Sequence, residues 1–311
     1  MKVLVTGGAG FIGSHLTKAL LNKGVNVIVY DNFSSGSMEK LESIKSKITI
    51  IKDDIRNHET LSKALAKTDY VFHLAALTSV HNSIFDPMDT FDINANGTLN
   101  VLYHSHQAGV KRVVIASSCA IYGNQTLCPI PEDAKPLLRS PYATSKLVGE
   151  TYADNFYNVY SLETVCLRYF NVYGPDQNAD SDYASVIPRF IKAVKSNTPP
   201  QIYGTGKQSR DFIYVQDVVR ANFQAAFELK DLKKQRIFNI GTGKATSLLD
   251  LVEALSTISG VKMKPQFYEA RKGDIESSCA EMTTSKQVLG FNSKTSLEAG
   301  LKELYTNKLF V

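Results

Sequence analysis

The chain has 311 residues, 43% of them hydrophobic and 21% charged, and a formal net charge of +5. That length buries a full core, as one large domain or two lobes, and the composition excludes a disordered chain. Lys and Arg are spread along the sequence instead of forming a block, which argues against a nucleic-acid partner and suits a small anionic ligand.

The opening "MKVLVTGGAG" holds one short apolar run that ends in glycines. It is too short for a signal peptide or a membrane span, so a cytoplasmic protein with no membrane partner is the expectation. The run "KVLVT" (2–6) predicts a strand, and "FIGSHLTKALLNKG" (11–24) has helical periodicity. Between them lies "TGGAGFIG", in which Gly7, Gly10 and Gly13 match G-x-x-G-x-x-G. Gly7 permits the tight turn, Gly10 lets a pyrophosphate approach the backbone, and Gly13 lets the helix pack on the sheet. The free N–H groups of the helix start then face the phosphate. The second strand, "VNVIVY" (25–30), runs into Asp31, where a carboxylate accepts from adenosine ribose hydroxyls and repels a 2′-phosphate. The expected cofactor is NAD.

Further apolar runs follow at 48–52, 70–74, 112–117 and 163–169, with helices expected at about 57–67, 88–108 and 142–159. Near-continuous apolar strands alternating with helices predict an α/β fold with a doubly wound parallel sheet covered on both faces. Beyond about residue 170 the pattern loosens. Loops rich in Gly, Pro, Asn and Asp are expected at 171–182, 196–210 and 270–278, with helices at about 186–195, 217–229 and 247–259. This reads as a second, smaller substrate-binding lobe, giving a division at 1–169 and 170–311 with some later segments returning to the first part.

The cysteines Cys119, Cys128, Cys166 and Cys279 form no CxxC pair and have no His at metal spacing. They read as reduced thiols, and no metal site is expected. His73 ends an apolar strand and reads as a core histidine. Tyr152, Tyr157 and Tyr160 read as helix packing or a dimer face.

In "SPYATSK" (140–146), Ser140 fits an N-cap and Pro141 the first helical position. Tyr142 and Lys146 then share one helix face, one turn apart. A phenol with a pKa of about 10 is a poor base at neutral pH, and a nearby ammonium together with a cationic nicotinamide favours phenolate. "RVVIASSCAIYG" ends a predicted parallel strand in hydroxyls, and ligands of doubly wound sheets sit beyond such strand ends. Ser118 is therefore placed to share a substrate oxygen with Tyr142.

With "TGGAGFIGSH", "YDNFSSG", "DDIRN", "HLAAL", "NANGTLNVL", "SSCAIYG", "PYATSK", "LRYFNVYGP", "GTGKQSRDFIYVQDVV", "FNIGTG" and "RKGDI" in this order, the chain resembles an extended short-chain dehydrogenase/reductase over nearly its whole length. Within that group it is similar to nucleotide-sugar 4-epimerases of the UDP-glucose/UDP-N-acetylglucosamine type. The resemblance implies a Rossmann lobe, a smaller substrate lobe and a homodimer. It implies Ser118, Tyr142 and Lys146 as the catalytic set. Phe11 and Ile12 would touch the cofactor pyrophosphate, Asp31 and Asn32 the adenosine ribose, and Asp54 and Ile55 the adenine. Leu74, Ala75 and Ala76 would line the nicotinamide side, with Tyr169 and Phe170 flanking the ring.

For the substrate, the resemblance places Asn171 on the diphosphate, Val186 and Ile187 near uracil, and Gln201 and Tyr203 on a loop that clamps the base. Arg210 and Arg271 would hold the diphosphate and Asp274 the uridine ribose; guanidinium groups pair bidentately with phosphate oxygens. Thr78 and Ser185 depart from the family pattern, which has Lys and Asn in some relatives. Ser278 stands where a tyrosine would confine the pocket to plain hexoses, so room for an N-acetyl group is expected. The implied reaction is C4 inversion of a UDP-hexose through a 4-keto sugar, with NAD reduced and reoxidised in each cycle. Cys119 and Ala120 occupy the positions of the acidic pair that a 4,6-dehydratase needs, which argues against dehydration. The remaining alternatives are a UDP-glucuronate 4-epimerase or decarboxylase, and a non-catalytic NAD-binding sensor or scaffold.

Overall fold

The structure is a computed structural model and describes residues 1–177, 185–270 and 275–307. The chain opens with β1 (Lys2–Thr6), α1 (Phe11–Asn22), β2 (Asn26–Asp31), β3 (Thr49–Lys52), α2 (His58–Leu65), β4 (Tyr70–His73), α3 (Val80–Phe85), α4 (Pro87–Phe91), α5 (Gly97–Gln107), β5 (Arg112–Ser118), α6 (Pro141–Tyr160) and β6 (Glu163–Tyr169). It continues with β7 (Asn171–Tyr173), α7 (Val186–Lys195), β8 (Gln201–Tyr203), β9 (Ser209–Tyr214), α8 (Val215–Phe223), β10 (Ile237–Ile240), β11 (Ala245–Ser247), α9 (Leu248–Ser259), β12 (Gln266–Tyr268), β13 (Ser277–Ser278), α10 (Thr283–Gln287) and α11 (Leu297–Thr306).

A seven-stranded sheet has the order β10-β6-β5-β4-β1-β2-β3, and all its pairings are parallel. Such a sheet buries both faces, and alternate residues of one strand feed opposite layers. In β1, Val3 and Val5 join a core with Leu16 and Leu20 of α1 and Val218 of α8, whereas Leu4 joins one with Leu61 of α2, Val101 of α5 and Phe156 of α6. Chain order reverses beside β1, between β2 and β4, which creates the crevice where doubly wound sheets bind ligands.

A second sheet is centred on β9, which pairs antiparallel with β11 and parallel with β13 and β7. Its core combines Tyr173, Phe212 and Tyr214 with Ile191 of α7, Leu255 of α9 and Leu301 of α11. β8 and β12 form a separate parallel pair. β10 returns to the edge of the large sheet, and α8 packs on α1.

The alternation of strands and helices in the first half follows the sequence pattern. Three features differ. The stretches 171–182 and 196–210, expected as loops, contain β7, β8 and the start of β9; strands of about three residues are too short to show a period of two. The helix expected at 88–108 is α4, a π-helical turn at Asp92–Asn96, and α5. A 3₁₀-helix at Met38–Lys47 and the short α3 carried no clear periodic signal. Among the described residues, no helix is long and apolar enough to cross a membrane.

Candidate active site

The glycine loop is built by close backbone approach. Gly7 has φ +68°, and a Cβ on it would lie 2.7 Å from the Ala75 nitrogen, so no other residue fits. A Cβ on Gly13 would lie 2.1 Å from the Gly7 carbonyl oxygen. Asp31 ties this loop to β2: its Oδ2 accepts from the Ala9 N–H at 2.8 Å and its Oδ1 from the Phe33 N–H at 2.8 Å. Gly10 caps α1 without any side-chain hydrogen bond, which leaves the first N–H groups of the helix without a side-chain partner.

Leu74 and Ala75 continue β4 past its end and lie against the same loop. Their N–H groups donate to the Thr6 carbonyl and to Thr6 Oγ1, at 3.1 and 3.2 Å. At the far edge, Asp54 accepts from Arg56 through both carboxylate oxygens and from Asn32 Nδ2 at 3.0 Å. The Arg56 guanidinium holds the Asp54 carboxyl down at about 2. The Ile55 side chain is buried in the core, so only its main chain is left to face a ligand.

α6 begins as its sequence dictates. Ser140 Oγ accepts from the Ala143 N–H at 3.1 Å and Pro141 takes the first turn. Its buried positions Tyr142, Ser145, Gly149, Ala153 and Phe156 recur at three- and four-residue spacing and lay one face on the sheet. Lys146 Nζ donates to the Ala116 carbonyl of β5 at 3.0 Å and lies 5.8 Å from the Tyr142 ring centroid. The Ser118 hydroxyl lies close enough to the Tyr142 phenol to favour its ionised form. β5 therefore ends against the two side chains that the sequence pairs on the helix.

The electrostatics differ from expectation in one respect. Burial pushes the Tyr142 phenol up to about 12, and the Ser118 hydroxyl, not the Lys146 ammonium, is the group that opposes this. Burial also pulls Lys146 down to about 8. At neutral pH this arrangement holds a neutral phenol beside an ammonium, a pair that can give or take a proton once a charged group or ligand shifts the balance.

A cavity of about 580 Å³ is lined by Phe170, Asn171, Val186, Ile187, Gln201, Tyr203 and Arg210, all expected substrate residues. Asn171 Oδ1 is buried there without a hydrogen-bond partner among the described residues. Tyr203 stacks on Tyr268 with ring centroids 5.4 Å apart, and the Arg189 guanidinium lies 5.9 Å from its ring. Ser185, which starts α7, also lines the cavity and accepts from Gln177 Nε2 at 3.0 Å. Ser278 is buried, 4% exposed, and lies near Cys119, the residue after Ser118. Tyr169 turns its hydroxyl to Asn222 on α8. Arg271 and Asp274 lie outside the described residues.

The sequence profile of the NAD dependent epimerase/dehydratase family matches residues 3–241. The chain belongs to that family. It is similar to the UDP-glucose 4-epimerase of Mycolicibacterium smegmatis, at 36% identity over 99% of both chains. A UDP-glucuronate 4-epimerase of Thermodesulfobacterium geofontis is 35% identical over 96% of this chain and 93% of its own. Among solved structures, the UDP-glucose 4-epimerase of Thermotoga maritima with UDP-glucose superposes with a TM-score of 0.93 at 39% identity, covering 100% of this chain and 98% of that one. The UDP-N-acetylglucosamine 4-epimerase of Methanobrevibacter ruminantium, in complex with UDP-N-acetylmuramic acid, gives a TM-score of 0.93 at 38% identity over 99% and 97%.

For this epimerase/dehydratase family member the cofactor is NAD, and the residues fit it. A Cβ on Gly10 would meet only the Gly7 carbonyl oxygen, at 3.1 Å, so the approach to the loop is open where a pyrophosphate would lie over the uncapped start of α1. His73 does not take part. It is 3% exposed, bonded to Thr6 and Thr98 at 2.8 and 2.9 Å, and burial pulls it down to about 3.

Several site residues escaped the sequence reading. Val80 and Ile84 of α3 wall the cavity, and Asn94 in the π turn clamps Leu77 through its N–H and carbonyl and reaches Ser145 at 3.0 Å. Glu150 forms a buried ion pair with Arg168. Its signal was present: Glu150 follows Lys146 by four residues on the same helix face.

Proposed function

We propose that this protein is an NAD-dependent UDP-sugar 4-epimerase that inverts C4 of UDP-glucose and UDP-galactose and, with Ser278 leaving room for the acetamido group, of their N-acetylated counterparts. The supporting observation is the meeting of Ser118, Tyr142 and Lys146 at the end of β5. Bound NAD would take a hydride from the sugar carbon and return it. Tyr142 would exchange the proton of the 4-hydroxyl, with Ser118 holding the same oxygen and the Lys146 ammonium favouring the phenolate. Asn171 and Arg210 would anchor the diphosphate while the sugar turns, together with Arg271. Tyr203, Gln201, Val186 and Ile187 would hold the base, and Asp274 the ribose. Binding energy placed on the nucleotide then leaves the sugar free to present either face. In this reading the reaction lies between the portions 1–169 and 170–311, and two copies pair through the exposed apolar side chains of α4, α5 and α6.

A second reading, UDP-glucuronate as substrate, draws support from Arg189 in the cavity wall, a cation that could face a C6 carboxylate. One experiment separates these readings. The purified protein, with no NAD added, is given UDP-glucose, UDP-N-acetylglucosamine and UDP-glucuronate, and C4 epimer ratios are followed by NMR. The expected result is interconversion of the first two. Turnover of UDP-glucuronate alone favours the second reading, and no interconversion of any sugar overturns both.

A further inference from the structure

α6 carries a buried ion pair that the proposed chemistry does not use. Tyr142, Lys146 and Glu150 are spaced by four residues and project from one helix face. Glu150 and Arg168 are each 4% exposed. Arg168 donates from Nε to Glu150 Oε1 at 2.8 Å and from Nη2 to Oε2 at 2.7 Å. Ser117 Oγ donates to the same Oε1 at 2.5 Å. The other end of the guanidinium donates to Tyr122 Oη and the Glu132 carbonyl at 2.9 and 2.8 Å. Register explains the meeting: Ser117 of β5 lies beside Arg168 of β6, and Ser118 beside Tyr169.

Residues 116–118 of β5 thus all meet α6. Ser118 lies beside Tyr142, the Ala116 carbonyl accepts from Lys146, and Ser117 donates to Glu150. Desolvating two charges offsets much of what an ion pair gains, so a buried pair is a poor way to add stability alone. We propose that Glu150, fixed by Arg168 and Ser117, is a positioning residue that sets α6 in register with the end of β5 and supplies the negative charge facing the Lys146 ammonium. This rests on reading Tyr142 and Lys146 as the reacting pair.

The surroundings of Lys146 agree. Burial lowers its proton affinity, while Cys166 and Glu150 raise it. The groups facing it are Tyr142 and Glu150 from α6, Cys166 from β6, His73 from β4 and the Ala116 carbonyl from β5. Burial pushes the Cys166 thiol well above its ordinary range, the Tyr142 phenol up to about 12 and the His73 imidazole down to about 3, so all three are neutral near pH 8. Among these described groups, Glu150 is the one left to act as an anion. An ammonium that titrates at about 8 is lost as pH rises, and removing a charge that favours it moves that loss to lower pH.

The test uses the holoenzyme in three forms: wild type, Glu150→Gln, and Glu150→Gln with Arg168→Met. The double variant leaves no uncompensated buried guanidinium and decides the matter if the single variant does not fold. The Lys146 ammonium is titrated by ¹⁵N NMR of lysine-labelled protein, with Lys146→Met to assign the signal, and the pH dependence of epimerisation is measured alongside. Both Glu150 variants are expected to lose the Lys146 proton about one pH unit lower, with the alkaline limb of kcat moving equally and KM little changed. A folded double variant that titrates as wild type overturns the proposal. A lowered titration in a protein that turns over no sugar supports the charge role of Glu150 and overturns the functional reading instead.

Discussion

In the proposed function Ser278 is the residue that would decide which sugars enter. It is buried against Cys119, one residue from the Ser118 hydroxyl. In that reading a tyrosine ring there would take the space that the acetamido group needs. Ser278→Tyr is expected to suppress turnover of the N-acetylated pair selectively, with kcat/KM for UDP-glucose retained; equal loss on both pairs would remove Ser278 as the gate. Tyr142→Phe keeps the ring but removes the hydroxyl, and epimerisation should fall by roughly 10²–10⁴-fold. A wild-type rate in that variant would remove Tyr142 as the proton carrier, whereas no epimerisation by the wild type itself would favour a non-catalytic NAD-binding role. At this scale the sequence carried the types and spacing of Ser118, Tyr142 and Lys146, because a helix repeat fixes which side chains share a face. It did not carry the direction of the Tyr142 shift. That depends on burial, which places Ser118 and the surrounding core around the phenol and keeps it neutral.

Among the elements, the turn from β1 into α1 is the most tightly specified. An added methyl at Gly13 would meet backbone of Gly7 and Gly8, which cannot swing aside as a side chain can. Gly13→Ala should therefore push α1 off β1, destabilise the fold by about 1–3 kcal/mol and lower the NAD retained on purification. Thermal unfolding and the NAD content of the purified protein check this, and wild-type values for both would show that the contact relaxes freely. Long elements were legible in the sequence: α1, α6, β5 and β6 each present enough turns or alternations to set their period. β7, β8 and β13 were not, with three, three and two residues. Their strand geometry comes from pairing partners distant in sequence, as β13 pairs with β9.

For the whole molecule, the proposed function requires that the two sheets and their helices bring the glycine loop, the end of β5 and the cavity together. The exposed apolar side chains of α4, α5 and α6 include Met88, Tyr103 and Val159. The proposed homodimer would bury them, and α4 already packs on α6. Light scattering after size-exclusion chromatography should give twice the chain mass. Tyr103→Asp with Val159→Asp should give monomers, whereas a monomeric wild type would remove the dimer from the proposal.

The sequence by itself determined the local features: the glycine spacing, the capped start of α6, the Tyr–Lys repeat and the apolar alternation that demands a sheet covered on both faces. These are set by backbone sterics and by periods of 3.6 and 2, which neighbouring residues satisfy among themselves. Only the tertiary structure decided that Arg168 closes on Glu150, that Asn171 leaves an unpartnered oxygen in the cavity wall, and that α3 completes that wall. Burial, charge pairing and cavity shape arise between segments far apart in the chain, and no local period encodes which distant partner arrives.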